Sequence, residues 1–444
     1  MVKILFIIGM LLSMALFRAN GQKVWSIDDC VNYAVRNNLS IEKKSLQNEI
    51  NQETYNQSIR SMLPSAGLNS GGGFSFGKSV DPTTYTYVTR QFFSSSYSLG
   101  GSIGLFSGFS HLNTVTFNKL NYLAGLEESK QQKNEIAFDA LSNYIDVLFY
   151  QGLLNISIEQ KQLSELNLKL VKVRYQTGLD AKSDLLEMES RMAQEELNVV
   201  QSKNYLSAAI LTLRQTMNYH EADTLKLDEN PALGDVGNVA PTEEDTVISQ
   251  AMDANPEVKA ARLQNQAAEK NLAIARGRLF PSLSMSGGYS TNYAKALDDN
   301  NTASFGDQFK HNASQYISFS LSVPLFYGWS NRSQVKKAKL GLLQAKTDLD
   351  ITKQQLFQEI EKNFNELASL SAEYKQTVKQ LEASKLAYEA AEKKLKQGLI
   401  NAIDFYNSKN LMAKAESDVL RTKLQYELKK RTIDFFIGIP IYSE

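Results

Sequence analysis

Proline is scarce in this chain. Average usage would put roughly twenty-two prolines in a protein of this length, but there are eight, at positions 64, 82, 231, 241, 256, 281, 324 and 440. None falls between Pro82 and Pro231 or between Pro324 and Pro440. Because proline breaks a helix interior at a cost of roughly 3 kcal/mol, two such tracts permit very long helices and exclude collagen-like, mucin-like and linker-rich chains. Cysteine is scarcer: Cys30 stands alone, so no internal disulfide forms, and it is expected to be a small buried hydrophobe. Excess charge is also absent, with 48 Lys and Arg against 48 Asp and Glu. With no basic field to hold a phosphate backbone, nucleic acid is not an expected partner. Beyond residue 21 there is no run of 18 apolar residues, which excludes a transmembrane helix. If this chain enters a membrane, it does so as strands.

What is present starts at the first residues. Lys3, an apolar run from Ile4 to Phe17, and Ala19-Asn20-Gly21 read as a secretory signal peptide over residues 1–21, too short to anchor across a bilayer. Its removal leaves 46 cations against 48 anions, and Gln22 follows the cut rather than a lipid-bearing cysteine.

The chain repeats itself at an offset of 220 residues. Arg174 to Leu186 (RYQTGLDAKSDLL) maps onto Lys394 to Tyr406 (KLKQGLINAIDFY), aligning Gly178 with Gly398, Leu179 with Leu399 and Asp184 with Asp404. The same offset carries Leu105-Phe106-Ser107-Gly108 onto Leu325-Phe326-Tyr327-Gly328, while nearer each start the offset is 217, as Leu63-Pro64-Ser65 becomes Phe280-Pro281-Ser282. Repeat 1 is placed at 22–224 and repeat 2 at 243–444, joined by a linker at 225–242 that holds two prolines and two glycines.

Inside each copy the hydrophobic period changes twice. Helices are expected at Ile41–Arg60 and Glu257–Arg276. Alternation then predicts strands at about 66–78 and 95–106, and at about 282–293 and 314–326, each with one apolar and one serine-rich face. The helical period returns for about 109–175 and 329–396, some 100 Å of helix each. A final helix follows each glycine, at about 182–217 and 402–437, and its apolar spacing suits antiparallel coiled-coil packing. The intervening Ser79–Gln91 and Lys295–Asn312 are polar and turn-rich. Strands of about ten residues with alternating faces suit a bilayer, but four of them cannot close a barrel, and each unpaired edge group in lipid costs several kcal/mol. The chain must therefore oligomerise if these strands enter lipid.

The doubled helix-strand-strand-helix-helix unit, the Asn255-Pro256 helix start, Val323-Pro324-Leu325-Phe326-Tyr327-Gly328 at the end of the last strand, and Arg174-Tyr175-Gln176-Thr177-Gly178-Leu179 at a helix turn resemble the TolC outer-membrane factor family. The resemblance covers residues 22–444. It implies an α+β membrane protein of the Gram-negative outer membrane, reaching into the periplasm. The implied assembly is a homotrimer, in which a long antiparallel α-helical coiled-coil barrel runs on from a transmembrane β-barrel of four strands per protomer. It implies an exit duct of a tripartite efflux or type I secretion system, partnered by a periplasmic adaptor (membrane fusion) protein, an inner-membrane pump of RND or ABC type, and outer-membrane lipid. Ser79–Gln91 and Lys295–Asn312 become extracellular loops.

The two glycine turns become the periplasmic tip, with Arg174, Tyr175, Gly178, Leu179, Gly398 and Leu399 as adaptor contacts. Asp184 and Asp404, each six residues after a glycine, suit a helix first turn. In a trimer Asp404 becomes a ring of three like charges that narrows the pore electrostatically. The family's second aspartate is Asn407 here. The positions of its latching tyrosine and arginine hold Leu395 and Ile400, while Ser183 and Asp184 match the latch's other side. Ser183, Asp184, Asp404 and Asn407 are therefore the gate candidates.

Enzyme chemistry is not expected. His111, His220 and His311 are scattered without metal-ligand spacing. Gly72–Ser79 fits phosphate-loop spacing and Gly100–Gly104 fits nucleophile-elbow spacing, but both lie in alternating strands rather than at a helix start. No cofactor motif occurs. The alternative reading is a periplasmic coiled-coil protein with structural or adaptor duties, against which stand two matched hairpins with a strand pair in each.

Overall fold

The computed structural model describes residues 24–80, 85–220, 225–228, 236, 244–298 and 303–442. The expected signal peptide and most of the expected linker lie outside the described residues. In chain order the elements are β1 (Val24–Trp25), α1 (Ile27–Asn37), α2 (Leu39–Arg60), β2 (Ser65–Ser75), β3 (Lys78–Val80), β4 (Tyr87–Thr89), β5 (Phe92–Ser107), α3 (Ser110–Gln176), α4 (Lys182–Met217), β6 (Lys226–Leu227), α5 (Glu244–Ala254), α6 (Pro256–Gly277), β7 (Ser282–Ala296), α7 (Phe305–His311), β8 (Ser314–Ser322), α8 (Ser330–Lys396) and α9 (Ala402–Phe436). Two compact units form. One takes the described residues up to Ser45, Ser129–Pro256 and those from Lys353 on; the other takes Leu46–Glu128 and Glu257–Thr352. Among the described residues no helix is long and apolar enough to cross a membrane.

The second unit holds an antiparallel sheet in the order β2-β5-β7-β8. Its register pairs Leu68 with Leu99, Leu99 with Tyr289, Met285 with Phe319 and Leu283 with Leu321, which collects the apolar side chains on one face. Ser284 pairs with Ser320 and Ser286 with Ser318, so the other face is mainly glycine and serine, with Tyr316 opposite Gly288, and it is bonded across strands at Ser286–Ser318 (2.8 Å) and Ser290–Ser314 (2.9 Å). Beyond the part that α7 covers at Tyr97 and Tyr293, the apolar face is bare: Ile317 is 77% exposed and Leu68 75%. Strict alternation from Leu99 and Ile103 along β5 would put Leu105 on the apolar face, but a bulge between Gly104 and Phe106 brings Phe106 opposite Leu283 instead.

Two stretches expected to be turns are ordered differently. β3 and β4 pair across the Ser79–Gln91 stretch, with Ser79 opposite Val88. Within Lys295–Asn312 lies α7, whose N-cap Ser304 accepts from the Asp307 N–H. β7 outlasts β8 by six residues, and α7 covers that overhang. Gln308 accepts from the Ala294 N–H (3.0 Å) and donates to the Ala294 carbonyl (2.9 Å), doing for β7 what a strand would do. Phe305 and Phe309 pack on Tyr97.

In the first unit α1 begins with a capping box: the Asp29 N–H donates to Ser26 Oγ and the Ser26 N–H to Asp29 Oδ2. Along α8 the buried positions Leu356, Ile360, Asn363, Leu367, Thr377, Tyr388, Ala391 and Leu395 follow alternating three- and four-residue steps, a coiled-coil seam. Cys30, Val31, Leu141, Leu213 and Met217 are buried together, and Tyr144 is fully enclosed among them. The Tyr144 hydroxyl donates to the carbonyls of Trp25 (3.1 Å) and Asp228 (3.2 Å), tying α3 to the β1–β6 pair, and its burial pushes the phenol above its ordinary value. Replacing Tyr144 with phenylalanine is expected to cost about 1–2 kcal/mol, read as a lower denaturation midpoint by far-UV circular dichroism.

Candidate functional site: two helical turns and the polar seam behind them

Helix α3 reverses into α4, and α8 into α9, through the same backbone device. The Leu179 N–H donates to the Arg174 carbonyl and Gly178 N–H to Tyr175; in the second turn Leu399 donates to Lys394 and Gly398 to Leu395, at 2.8–3.1 Å throughout. This is the Schellman arrangement, which needs a left-handed residue, and both glycines sit at φ +76°. Leu179 and Leu399 project bare, 71% and 68% exposed. Tyr175 is also exposed.

The turns then diverge in side-chain chemistry. Arg174 is more than three-quarters buried and closes on Asp180, with Nε 3.1 and 2.9 Å from the two carboxylate oxygens. It also reaches the second turn, where Nη1 donates to the Leu395 carbonyl at 3.3 Å, and a Cβ on Gly398 would lie 3.3 Å from Nη2. Gly398 is thus required for its conformation and for the room it leaves. At the equivalent positions of the second turn Lys394 and Ile400 replace Arg174 and Asp180, so no matching pair can form there. Leu395, expected to lack a polar role, takes one through its backbone while its side chain packs with Tyr388, Ala391 and Phe405, and Ile400 joins this cluster.

The gate candidates occupy helix first turns. Asp184 accepts from the Ala181 N–H at 3.3 Å, and the Asp404 N–H donates to the N-cap Asn401 at 2.8 Å. Ser183, Asp404 and Asn407 are exposed and Asp184 is half-buried. They lie in the same two turns as Arg174, but no bond joins Ser183 or Asp184 to Asp404 or Asn407 among the described contacts.

Behind the turns lies a seam that sequence reading missed. Ser157, Gln160, Ser164 and Asn167 on α3 are all more than nine-tenths buried at three- and four-residue steps. Ser157 shares a 2.9 Å hydrogen bond with Ser202 on α4, and Thr377 a 3.3 Å bond with Thr422 between α8 and α9, two contacts at the same repeat offset. Farther along, α9 inserts Lys409, which is fully buried. Its ammonium donates to Glu195 Oε1 (2.8 Å) and Ser164 Oγ (2.6 Å), and the Tyr406 hydroxyl donates to the same Glu195 oxygen at 2.5 Å. The Arg191 guanidinium lies 4.7 Å from the centre of the Tyr406 ring.

Burial alone would raise Glu195, but the bonds from Lys409 and Tyr406 outweigh it and hold the carboxyl below its ordinary value. Burial pulls Lys409 down, with Glu195 opposing. Burial and the neighbouring carboxylate push Tyr406 up, so it stays a donor. No spacing signal could have found this cluster, since its members come from α3, α4 and α9. The one clue was chemical, a lysine at an otherwise apolar seam position.

Among the described residues no three acidic, histidine or cysteine side chains are placed to hold a metal ion. The segments with phosphate-loop and elbow spacing fall within β2–β3 and β5.

The model of the family described as outer membrane efflux protein matches residues 247–438. Outer membrane protein TolC of Vibrio cholerae is 24% identical over 298 residues, 66% of either chain. Alkaline protease secretion protein AprF of Pseudomonas aeruginosa is 19% identical over 316 residues, 70% of this chain and 63% of its own. The alignments thus span about two thirds of these relatives. By fold the chain is similar to the crystallised channel-forming protein CusC, with a TM-score of 0.80, 15% identity and 96% of each chain covered.

Replacing Glu195 with glutamine strands the Lys409 charge and is expected to cost about 3–5 kcal/mol, while Glu195→Leu combined with Lys409→Met should recover most of it. Denaturant midpoints of the two variants provide the comparison. Because the folded Glu195 value is lowered, its contribution is fully present above the unfolded value near about 4.3 and is lost as the pH falls through the folded one. The Glu195→Gln variant should therefore show a shallower loss of stability in acid than the parent.

Proposed function

We propose that the chain is a member of the outer membrane efflux protein family, whose model matches residues 247–438, and that it is the exit duct of a tripartite efflux or type I secretion system, a passive conduit gated at its helical turns. Its place is the outer membrane, and the family and fold are those of channel proteins rather than enzymes. The observation that carries the reading is the sheet. Its apolar face is bare beyond the part that α7 covers, its opposite face is mainly glycine and serine, and the outer edges of β2 and β8 have no partner within the described sheet. In lipid each such edge group costs several kcal/mol, and the remedy is closure. Pairing β8 of one copy with β2 of the next satisfies both edges. Three copies of a four-stranded sheet make a twelve-stranded barrel with the apolar face outward to lipid and the serine face lining the lumen.

The long hairpins α3–α4 and α8–α9 then carry the conduit into the periplasm, with the adaptor meeting Leu179 and Leu399, and an inner-membrane pump supplying the energy. Arg174, through Asp180 and the Leu395 carbonyl, fastens the two turns and takes the place of a side-chain latch at Leu395 and Ile400. Asp404 of three copies forms a ring of negative charge.

Single-channel recordings of the protein in planar bilayers test the gate. Arg174→Ala is expected to raise open probability, and Asp404→Asn to weaken block by divalent cations about tenfold; unchanged recordings for both would remove these residues from the gate. Cysteines at Leu179 and Leu399 should crosslink to the adaptor, whereas a control cysteine at the exposed Lys375 should not.

A further inference from the structure

Between β8 and α8 the chain leaves the sheet through an apolar collar. Leu325 is 91% exposed, Phe326 75% and Trp329 61%. Trp329 is held at φ +64°, a region that a bulky side chain rarely enters. Its ring carries the Arg332 guanidinium at 4.6 Å from the centroid, and the two residues border a cavity of about 140 Å³ with Leu279, Phe326, Tyr327 and Asn331.

From this point the helix is basic. Arg332, Lys336 and Lys339 recur at four- and three-residue steps below Trp329, with Lys337 beside them, and all four are exposed. No acidic residue lies in the first turn of α8, and the first along it is Asp348. Arg276 and Arg278, also exposed, end the neighbouring α6 segment, and the Arg278 carbonyl accepts from Asn331. Arg332, in the first turn of α8, opposes the helix dipole, so its charge does not serve the helix start. The first repeat keeps the exposed aromatic, Phe109 at φ +63°, and Lys119 at the offset of Lys339, but Leu112, Thr116 and Phe117 stand where Arg332, Lys336 and Lys337 stand in the second.

We propose that Trp329, Arg332, Lys336, Lys337 and Lys339 form a recognition site for the anionic headgroups of phospholipids in the leaflet that the base of the sheet enters. The proposal rests on the reading of the sheet as membrane-inserted. An aromatic at the strand exit sits at headgroup depth with its ring in the apolar boundary. Arg332 on its face then meets phosphate, and Lys339, about 10 Å farther along the helix, still lies near one Debye length of the charged surface. Zwitterionic phosphatidylethanolamine offers the same acyl chains without the net charge, so the surface discriminates by headgroup. The site is one-sided, set by the second repeat of each copy alone.

The full chain holds two tryptophans, Trp25 in the core of the first unit and Trp329, so Trp329 emission, corrected with a Trp329→Phe variant, reports this site. In phosphatidylethanolamine vesicles containing phosphatidylglycerol, brominated acyl chains are placed on one lipid or the other at equal mole fraction. Quenching by brominated phosphatidylglycerol should exceed that by brominated phosphatidylethanolamine by about fivefold or more, and the excess should vanish in high salt and in R332Q/K336Q/K337Q/K339Q. Equal quenching in the parent protein overturns the proposal and leaves the membrane reading intact. Quenching by neither lipid overturns both. In lipid-free detergent the quadruple variant should unfold at the same temperature or higher, since it relieves the dipole conflict at Arg332 and the repulsion of like charges along the helix; a lower midpoint would assign the cations to the fold and overturn the proposal.

Discussion

A peptide group at the margin of a sheet must find a partner or be solvated, and a hydrocarbon layer offers neither water nor slack. Much of this chain's design answers that requirement. The four strands carry an apolar face that suits lipid and a glycine and serine face that suits water, yet the outer edges of β2 and β8 are left for another molecule. On the proposed reading a single copy is incomplete in the membrane, and oligomerisation becomes part of folding rather than a later convenience.

The helices face a different demand. A hairpin whose arms run for tens of residues can slide along its own apolar seam, because one heptad looks much like the next. Polar groups placed in that seam resist slippage, since a shift leaves them buried without partners. Ser157 with Ser202 and Thr377 with Thr422 do this at equivalent heights in the two hairpins. Glu195, Tyr406, Lys409 and Ser164 do it once, between α9 and the first hairpin. Arg174 with Asp180 is likewise unmatched in the second turn. The repeats thus share a backbone and one hydroxyl pair but not the remaining polar contacts, and the contacts that differ are those able to give the two hairpins separate roles.

Periodicity in the sequence made the strands and long helices readable because both are local: alternation at Ile317, Phe319 and Leu321, or the three- and four-residue steps of α8, state a face directly. Repetition made the paired turns readable, and a positive φ at Gly178 and Gly398 follows from reversing a helix in so few residues. Contacts were not readable. Asp180 could not be assigned to Arg174 rather than to water, nor Lys409 to Glu195, from residues 214 positions apart in sequence. The bulge at Gly104 and the helix α7 also escaped, the first because one extra residue leaves the alternation superficially intact, the second because its seven residues are too few to show a period.

Gln308 has a wider effect than its two hydrogen bonds. By occupying the Ala294 backbone it withdraws the upper part of β7 from intermolecular pairing, so a neighbour can add only along the nine residues of β8. In the proposed assembly the contact between copies is head-to-tail, the outer edge of β8 against the outer edge of β2, and a head-to-tail contact has two fates: a ring when the rotation per step divides a full turn, an endless filament when it does not. A short, blunted edge allows only a narrow range of registers, and register together with strand lean sets that rotation. In that assembly, one side-chain amide at the sheet margin biases the count of subunits toward a finite, closed number.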